Sequence, residues 1–347
     1  MFEEKRGSKF HPTIKLLDQT IEKFSLLANR MVWLSSIFAS LVLLGFVFAQ
    51  IEWVDAREIF ASISYFWLSI GVLLLLVEGF ITAARFQLLT STDVSYGECV
   101  TAVAWYVLML IALPVRLGEI AGVALMVKHM RQRPGVAAAS LFFQRIFDML
   151  ILLSMLLIGI VFIWSDDATG KQVASAATLV SFLAAIVYFD RIISMLVGPL
   201  LPRRREKWSR RLLRLGLQAR MFRRHHLTRR KSNLLGALTL VKWAINLIAM
   251  SCVVLAVVPT LATVNALGVG VVYNLSAVIP IQTIGGFGIS EAVLLGSFTW
   301  LGYSLAAAAP IAIVTRIAMI SAPLVFWGIV VTSKAICKIS PKDAQRL

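Results

Sequence analysis

The sequence predicts an all-α polytopic membrane protein with about six full spans and two re-entrant hairpins made of broken helices. Hydrophobic residues make up 59% of the 347 residues, charged residues make up only 15%, and the mean hydropathy is +0.83. Soluble domains of this size do not have such a composition. Long apolar runs alternate with charged loops, and two of the runs are interrupted by proline and glycine. These interruptions disfavour a continuous helix.

Six apolar segments are long enough to cross a hydrocarbon core of roughly 30 Å. The predicted spans are residues 31–50, 65–84, 141–164, 173–197, 234–258 and 305–333. The loop after the first span is acidic, and Asp166 and Asp167 follow the third span, so both loops are expected outside. The transmembrane domain is therefore predicted over residues 31–333.

The polar ends of the chain and one long loop are expected in the cytoplasm. Residues 1–30 lack the pattern of a cleavable signal peptide, and residues 334–347 form a basic tail. Residues 199–233 carry much of the net charge of +16 and contain a single acid, Glu206. Such a loop is retained on the cytoplasmic side, where we expect it to lie on anionic lipids of the inner leaflet.

The segment from Cys99 to Val127 is predicted to form the first hairpin. Arg85 precedes it and the basic stretch from Lys128 to Arg133 follows it, which places both flanks in the cytoplasm. The segment is too short to cross the membrane twice. Because Pro114 interrupts it near the middle, we expect the chain to enter from the cytoplasm and return.

The segment from Val264 to Tyr303 is predicted to form the second hairpin, which enters from the outside. In hydrocarbon, a broken helix leaves backbone groups that protein or a water-filled cavity must satisfy. The helix-breaking residues are Pro114 and Gly118 in the first hairpin, and Pro280, Gly285, Gly286 and Gly288 in the second. A simpler interpretation of the second segment is that its glycines only kink a helix for close packing.

The two hairpins occupy corresponding places in two halves of the chain, residues 65–164 and 234–333. Each half reads as a span, a broken hairpin with a glutamate after its break, and a second span. The predicted orientations of the halves are opposite, which makes them an inverted repeat. Broken segments at matching places in inverted halves point to a transport site near the middle of the membrane.

Several ionisable residues are predicted at membrane depth, where an isolated charge is costly. These residues are Glu78, Arg116, Glu119, Arg145, Asp148, Lys242, Glu291 and Arg316. Arg145 and Asp148 are three residues apart and can pair on one helix face, in a role that could be purely structural. Arginine binds phosphate and broken-helix ends attract anions, which suits an anionic or zwitterionic lipid headgroup. The predicted substrate-binding residues are Arg116, Glu119, Arg145, Asp148, Glu291 and Arg316.

The sequence lacks the patterns of several other functions. No nucleophile with a partner histidine, P-loop or GxGxxG motif is present, so we expect neither an enzyme nor an ATP-driven pump. The spacing of Cys99, Cys252 and Cys337 is not that of metal ligands, and His225 and His226 have no partner ligands nearby in sequence. We therefore expect no metal and no cofactor. The basic loop lacks an aromatic platform, so no nucleic-acid partner is expected.

Three motifs of the chain resemble those of the lysylphosphatidylglycerol synthase transmembrane region family, also called the flippase-like membrane domain family. They are Pro114 to Glu119, Gln144 to Asp148 and Pro280 to Glu291, and the similarity covers roughly residues 32–333. In the founding bifunctional enzymes this region moves an aminoacylated phospholipid across the bilayer, and a soluble aminoacyl-transferase domain follows it. The resemblance therefore implies a flippase-like domain. Because the sequence ends shortly after its last span, synthase activity is not expected.

The chain departs from the family pattern at two positions. The family usually has an arginine three residues after the glutamate of its first motif, where this sequence has Gly122. It usually has a glutamate before the Arg-x-x-Asp motif, where this sequence has Gln144. One positive and one negative charge are thus missing together, and the sequence does not indicate their effect on specificity.

These observations predict translocation, by flipping or scrambling, of a phospholipid or lipid-linked precursor across the bacterial inner membrane. Arg116, Arg145 and Arg316 are expected to contact the phosphate, while Glu119 and Glu291 orient the arginines or relay protons. One alternative is a non-transporting scaffold whose basic loop recruits a cytoplasmic lipid-modifying enzyme. Another, disfavoured by the sparse chemistry, is an enzyme acting on a lipid-linked substrate. The sequence leaves open the lipid, the direction, the energy source and whether the chain forms a homo-oligomer.

Overall fold

The computed structural model describes most of the two halves of the chain and few residues outside them. The described residues are 38, 42, 45, 59, 61–90, 93–113, 117–164, 228–276 and 288–338. Within these residues the structure contains eight helices and no strand. The helices are α1 (Tyr65–Leu89), α2 (Tyr96–Ala112), α3 (Leu117–Met130), α4 (Pro134–Trp164), α5 (Arg229–Val257), α6 (Thr263–Ser276), α7 (Ile289–Trp300) and α8 (Leu305–Lys338).

Four of the described helices, α1, α4, α5 and α8, are long and apolar enough to cross a membrane. They correspond to the predicted spans 65–84, 141–164, 234–258 and 305–333. The predicted span 173–197 lies outside the described residues, as do most of the span 31–50 and most of the basic loop 199–233. An all-helical membrane protein is therefore confirmed, whereas the total of six spans stays a prediction.

The predicted interruption of both apolar runs is present in the structure. The first run forms α2 and α3, and the second forms α6 and α7, and the two helices of each pair pack against each other. Pro114, Pro280, Gly285 and Gly286 lie outside the described residues. Gly118 lies where α3 meets α2, because a Cβ atom there would be 2.7 Å from the Cα atom of Leu110. Gly118 therefore allows α3 to pack closely against α2.

Local sequence explains where the hairpin helices begin and end. At the start of α2, the Ser95 hydroxyl accepts a hydrogen bond from the Glu98 amide, and the Ser95 amide donates to the Glu98 carboxylate. This reciprocal capping satisfies amides that a helix start leaves unpaired. Gly302, at a φ of +94°, ends α7. The Tyr303 amide then donates back to the Phe298 carbonyl over 3.1 Å, which is a Schellman turn.

Exchanging the two halves maps each of the main contacts between helices onto another main contact, apart from the α1–α5 contact, which maps onto itself. The helices α1, α2, α3 and α4 correspond to α5, α6, α7 and α8. For example, α2 packs against α8 as α6 packs against α4, and α1 packs against α8 as α5 packs against α4. The corresponding helices α1 and α5 pack along each other, with Gly71 close to the Val253 side chain. The opposite orientation of the halves in a membrane stays a prediction.

Two apolar clusters hold the hairpins against the longer helices. One joins α2 and α3 to α1 and α8 and includes Phe86, Met126 and Phe326. The other joins α6 and α7 to α5 and α8 and includes Leu294 and Phe298. The first cluster joins its hairpin to long helices of both halves, whereas the second joins its hairpin to long helices of the second half. The contact of α6 with α4 links the second hairpin to the first half as well.

The structure corrects one boundary from the sequence analysis. The predicted second span ends at Ala84, with Arg85 outside it in the cytoplasm, but α1 continues to Leu89 and only 1% of the surface of Arg85 is exposed. A charged residue usually marks the end of an apolar span. Here the charge of Arg85 is instead neutralised by the carboxylate of Asp148 on another helix. The cytoplasmic placement of the first hairpin consequently depends on the basic stretch from Lys128 to Arg133 alone.

The topology prediction can be tested with single cysteines in a chain whose native cysteines are replaced. Asp93 and Arg133 flank the first hairpin, Ala262 and Ser304 flank the second, and all four are exposed. If the hairpins are re-entrant, cysteines at the first two positions react with a membrane-impermeant thiol reagent only from the cytoplasm. Those at the other two react only from outside. Labelling from opposite sides within either pair would contradict the hairpin model.

Candidate functional site

The described interior contains equal numbers of positive and negative side chains. Within the apolar segments or beside the hairpin breaks, four described side chains are cations and four are carboxylates. They are Arg85, Arg145, Lys242 and Arg316, and Glu78, Glu119, Asp148 and Glu291. Each of the eight forms at least one ion pair with another member of the set. Such pairing is what charges require at membrane depth, where an unpaired charge is costly.

Tyr106, Glu119 and Arg145 form a cluster in the first half, which we name the first triad. They come from α2, α3 and α4 respectively. Arg145 pairs with the Glu119 carboxylate and donates a hydrogen bond to the Tyr106 hydroxyl. The hydroxyl in turn donates to Glu119 Oε2 over 3.0 Å. The tyrosine therefore connects the positive and the negative group of the triad.

Gly122 leaves the space that the Tyr106 ring occupies. A Cβ atom at position 122 would lie 2.6 Å from Tyr106 Cε2, which is closer than real atoms approach. The Tyr106 ring also packs against Phe86, with ring centroids 5.5 Å apart. An arginine at position 122, as in the family pattern, is incompatible with this position of Tyr106.

Asp148 lies behind the first triad and holds Arg145. The predicted pairing of the two residues is present, with 3.6 Å between Arg145 Nη1 and Asp148 Oδ2. Asp148 Oδ1 makes shorter contacts, at 2.9 Å to Arg85 Nη2 and at 2.9 Å to the Trp243 indole nitrogen. Only 4% of Asp148 is exposed, and its carboxylate contacts both Arg145 and Arg85.

Gln144 is buried beside this network. Its backbone carbonyl accepts a 3.4 Å hydrogen bond from Arg85, and its side-chain nitrogen has no hydrogen-bond partner among the described residues. A glutamate at this position would add one negative charge to the four cations and four carboxylates of the described residues. Relative to the family pattern, Gly122 removes one cation and Gln144 removes one carboxylate. The two departures together therefore leave the net charge unchanged.

Tyr273, Glu291 and Arg316 form a similar cluster in the second half, the second triad. They come from α6, α7 and α8. Arg316 donates to the Tyr273 hydroxyl, and its Nε lies 3.4 Å from Glu291 Oε1. Glu291 Oε2 also accepts a 2.6 Å hydrogen bond from the amide of Gly288, whose φ of +92° favours glycine. Glu291 therefore stabilises the arginine and the start of α7 together.

The two triads occupy the same positions in corresponding helices. Tyr106 and Tyr273 are the eleventh residues of α2 and α6. Glu119 and Glu291 are the third residues of α3 and α7. Arg145 and Arg316 are the twelfth residues of α4 and α8. Their exposure differs. The side chains of Arg145 and Glu119 are 36% and 28% exposed, whereas those of Arg316 and Glu291 are 10% and 2% exposed.

A further ion pair connects the two halves. Glu78 and Lys242 are the fourteenth residues of the corresponding helices α1 and α5, and they lie 3.2 Å apart. Asn246 donates a second hydrogen bond to the Glu78 carboxylate, over 2.7 Å. The Lys242 ammonium is also 3.6 Å from the ring centroid of Trp243, the residue that binds Asp148. The interface between the halves is therefore next to the network behind the first triad.

The predicted site residues fall into two groups. Glu119, Arg145 and Asp148 lie together in the first half, and Glu291 and Arg316 lie together in the second. Arg116 lies outside the described residues. Among the side chains that the structure describes, no group of three could hold a metal ion.

The sequence analysis missed Arg85, both tyrosines of the triads and Trp243. A search for charges passes over tyrosine and tryptophan, and it assigned Arg85 to a helix end. One signal was present for the tyrosines. Each lies about two helical turns before the proline that interrupts its hairpin, Pro114 or Pro280.

We expect Asp148→Asn to destabilise the protein strongly, because Arg85 would be left buried without its carboxylate. Breaking a buried ion pair by removing one partner typically costs about 3–5 kcal/mol. The apparent unfolding temperature in detergent should fall well below that of the wild type. The exposed Asp93→Asn is the control and should leave it unchanged. Unfolding of Asp148→Asn at the wild-type temperature would contradict a structural role for the pair.

We also expect Gly122→Ala to displace the Tyr106 ring and to weaken the first triad. Gly97→Ala is a matched control, because a Cβ atom at Gly97 on the same hairpin would have nothing within 4 Å. The Gly122 variant should unfold at a lower temperature than the Gly97 variant. Equal unfolding temperatures would show that the ring position does not depend on glycine.

Comparison with known proteins places the sequence in a family. The sequence matches the family model described as the lysylphosphatidylglycerol synthase TM region over residues 32–328. This range includes both hairpins and both triads. No curated protein and no solved structure matches the chain. Because the family model covers most of the sequence, the chain belongs to the lysylphosphatidylglycerol synthase TM region family.

Proposed function

We propose that this protein translocates a phospholipid or a lipid-linked precursor across the bacterial inner membrane, by flipping or scrambling it. Family membership and the apolar helices support a lipid-related function in a membrane. The observation that carries the proposal is the first triad. It presents a partly exposed guanidinium and a partly exposed carboxylate among helices that are apolar enough to span a bilayer. A polar site in this setting suits a headgroup whose acyl chains remain in the lipid.

The proposed path runs between the hairpins, which enter the membrane from opposite sides. Inverted halves with broken helices typically place a transport site at their interface. The exchange relation between the helix contacts supports this architecture, as do the matching positions of the triads. Both termini are then cytoplasmic, and the hairpins form a polar groove between the leaflets.

Each charged residue has a distinct role in the proposal. Arg145 donates to the phosphate, because a planar guanidinium matches phosphate oxygens with several hydrogen bonds. Glu119 orients Arg145, and Asp148 holds it from behind. Arg316 acts in the same way in the second half, with Glu291 as its partner. Arg116 at the first hairpin break is a further phosphate ligand in this proposal.

No step of this proposal makes or breaks a covalent bond. The chain moves a headgroup between polar contacts, and it acts as a transporter and not as an enzyme. The alternative, a scaffold that recruits a lipid-modifying enzyme through its basic loop, needs none of the buried ion pairs. Variants of the first triad therefore separate the two functions.

The test is lipid movement by the purified protein in vesicles that contain a fluorescent phospholipid labelled on its acyl chain. Dithionite quenches the label in the outer leaflet, so the rate of further quenching reports translocation. Arg145→Lys keeps the charge but loses the planar donors, and we expect the rate to fall by about tenfold or more. The exposed Arg133→Lys should move lipid at the wild-type rate.

Two results would contradict the proposal. Wild-type protein that moves lipid no faster than protein-free vesicles would favour the scaffold. Equal loss of activity in the Arg133 and Arg145 variants would show that the loss is not specific to the first triad, which would then not be the site.

A further inference from the structure

We propose that the ion pair between Glu78 and Lys242 is the pivot about which the two halves of the chain move against each other. This inference rests on the proposed translocation, because it names the contact that stays fixed while the groove opens first towards one side and then towards the other. Glu78 belongs to α1 of the first half and Lys242 to α5 of the second half, and their charged groups are 3.2 Å apart.

The ion pair lies within an antiparallel contact of α1 with α5 whose register can be followed along both helices. Seven residues before the glutamate is Gly71, where an added Cβ atom would lie 3.1 Å from the carbonyl oxygen of Ala249, seven residues after the lysine. Seven residues further in both directions, the Ser64 amide donates to the Ala256 carbonyl over 2.9 Å. The two helices therefore run past each other in step, in opposite directions, from the ion pair outwards.

This register places the ion pair on the pseudo-two-fold axis that relates the halves. Glu78 and Lys242 are both the fourteenth residues of their helices, so each is the counterpart of the other. In an antiparallel pair of corresponding helices, a residue faces its own counterpart only where the axis passes between them. Exchanging the halves therefore leaves the pair of positions occupied by Glu78 and Lys242 unchanged.

Contacts away from this axis have counterparts elsewhere, and the structure shows one that differs between the halves. Trp105 of α2 packs against Trp327 of α8, with ring centroids 5.3 Å apart. The residue of α6 that corresponds to Trp105 is Val272, which is 42% exposed. Inverted-repeat transporters typically work by rocking one repeat against the other around a fixed site. An exchange of conformations between the halves converts each off-axis contact into its counterpart, whereas the pair on the axis is its own counterpart.

The chemistry of the pair suits a contact that must persist while the angle between two helices changes. The side chains of Lys242 and Glu78 are only 12% and 16% exposed. Attraction between opposite charges depends on their separation and not on a fixed orientation, so it survives a rotation that close packing would resist. Asn246 donates to Glu78 over 2.7 Å, and its Oδ1 atom has no hydrogen-bond partner among the described residues. A stationary interface could instead be built from apolar residues without the cost of desolvating two charges.

The pivot is next to the candidate site. Trp243 follows Lys242 in the sequence, and its indole nitrogen donates to Asp148 Oδ1 over 2.9 Å. Asp148 in turn contacts Arg145 of the first triad. The first triad is therefore connected to the part of α5 where the halves move least against each other.

The first test measures the distance between two nitroxide labels by pulsed electron paramagnetic resonance. The native cysteines are replaced, and the protein is placed in vesicles of phosphatidylethanolamine and phosphatidylglycerol. Val77 and Val241 precede the pivot residues, correspond to each other and are 38% and 47% exposed. Because this pair is also its own counterpart, labels at the two positions should give a single narrow distance. The labels leave the ion pair itself intact.

Two further pairs of labels are matched controls away from the axis. Labels at Asp93 and Ser304 form one pair, and labels at Arg133 and Thr260 form the other; all four residues are exposed. Exchange of the halves maps one pair onto the other, since each position lies equally far before its helix as its counterpart does. Each of these pairs should therefore give two distances.

The second test exchanges the charges and measures translocation of the acyl-labelled phospholipid with dithionite. Glu78→Lys alone places two ammonium groups together and should lower the rate by about tenfold or more. Glu78→Lys combined with Lys242→Glu should restore at least about half of the wild-type rate, because the axis gives both positions equivalent backbone surroundings. Arg85→Asp combined with Asp148→Arg is the off-axis control, and its rate should stay at about a tenth of the wild-type rate or below.

The outcomes separate the pivot from the proposed function. Two distances between the labels at Val77 and Val241, or a single distance in either off-axis pair, overturn the pivot while translocation stands. An axis exchange that is as inactive as Glu78→Lys alone overturns it too, and so does full recovery by the off-axis exchange. If the wild type moves no lipid, the proposed function fails, and the measured distances alone decide whether the halves move about this ion pair. They also decide it if the charge-exchanged variants do not fold.

Discussion

The ion pair between Arg85 and Asp148 is the contact on which the position of the first triad depends. In a membrane, apolar side chains gain little by leaving lipid for protein, so polar contacts and close packing decide how helices associate. Arg85 belongs to α1, Asp148 to α4, and Trp243 of α5 donates to the same carboxylate. One buried carboxylate thus joins three spanning helices and fixes Arg145, which is three residues before it.

The two halves share a set of polar positions but differ in what supports them. The arginine, glutamate and tyrosine of the triads recur, and Glu78 pairs with Lys242 from the corresponding position of the other half. The counterpart of Asp148 is Met319. Polar support leaves the first triad partly open, whereas apolar support accompanies a nearly buried second triad. The two triads therefore have the same three residue types but differ in exposure and in the residues that pack behind them.

The sequence predicts the helices of this protein better than it predicts the contacts between them. Hydropathy locates the four long helices, and the prolines and glycines locate both interruptions, because these features depend on local residues. Arg85 was assigned to a helix end, since a local pattern cannot show that Asp148 of another helix neutralises it. Tyr106 was missed for the same reason, because its importance comes from Arg145 and Glu119 on two other helices. The number of spans and their orientation depend on residues 165–227, which lie outside the described part of the chain.

One side chain, Glu291, both caps the helix that follows the break in the second hairpin and pairs with an arginine. Ending a helix within an apolar segment leaves amides without partners, and a buried arginine needs a negative charge. Glu291 meets both needs, because one carboxylate oxygen accepts from the Gly288 amide and the other faces Arg316. Removing the carboxylate would therefore free the helix start and the arginine at once. The glutamate at the third helical position ties the broken backbone to the charge beside it, and Glu119 occupies the same position after the first break. In this structure, the carboxylate that caps the helix after the second break therefore also fixes the position of a buried arginine.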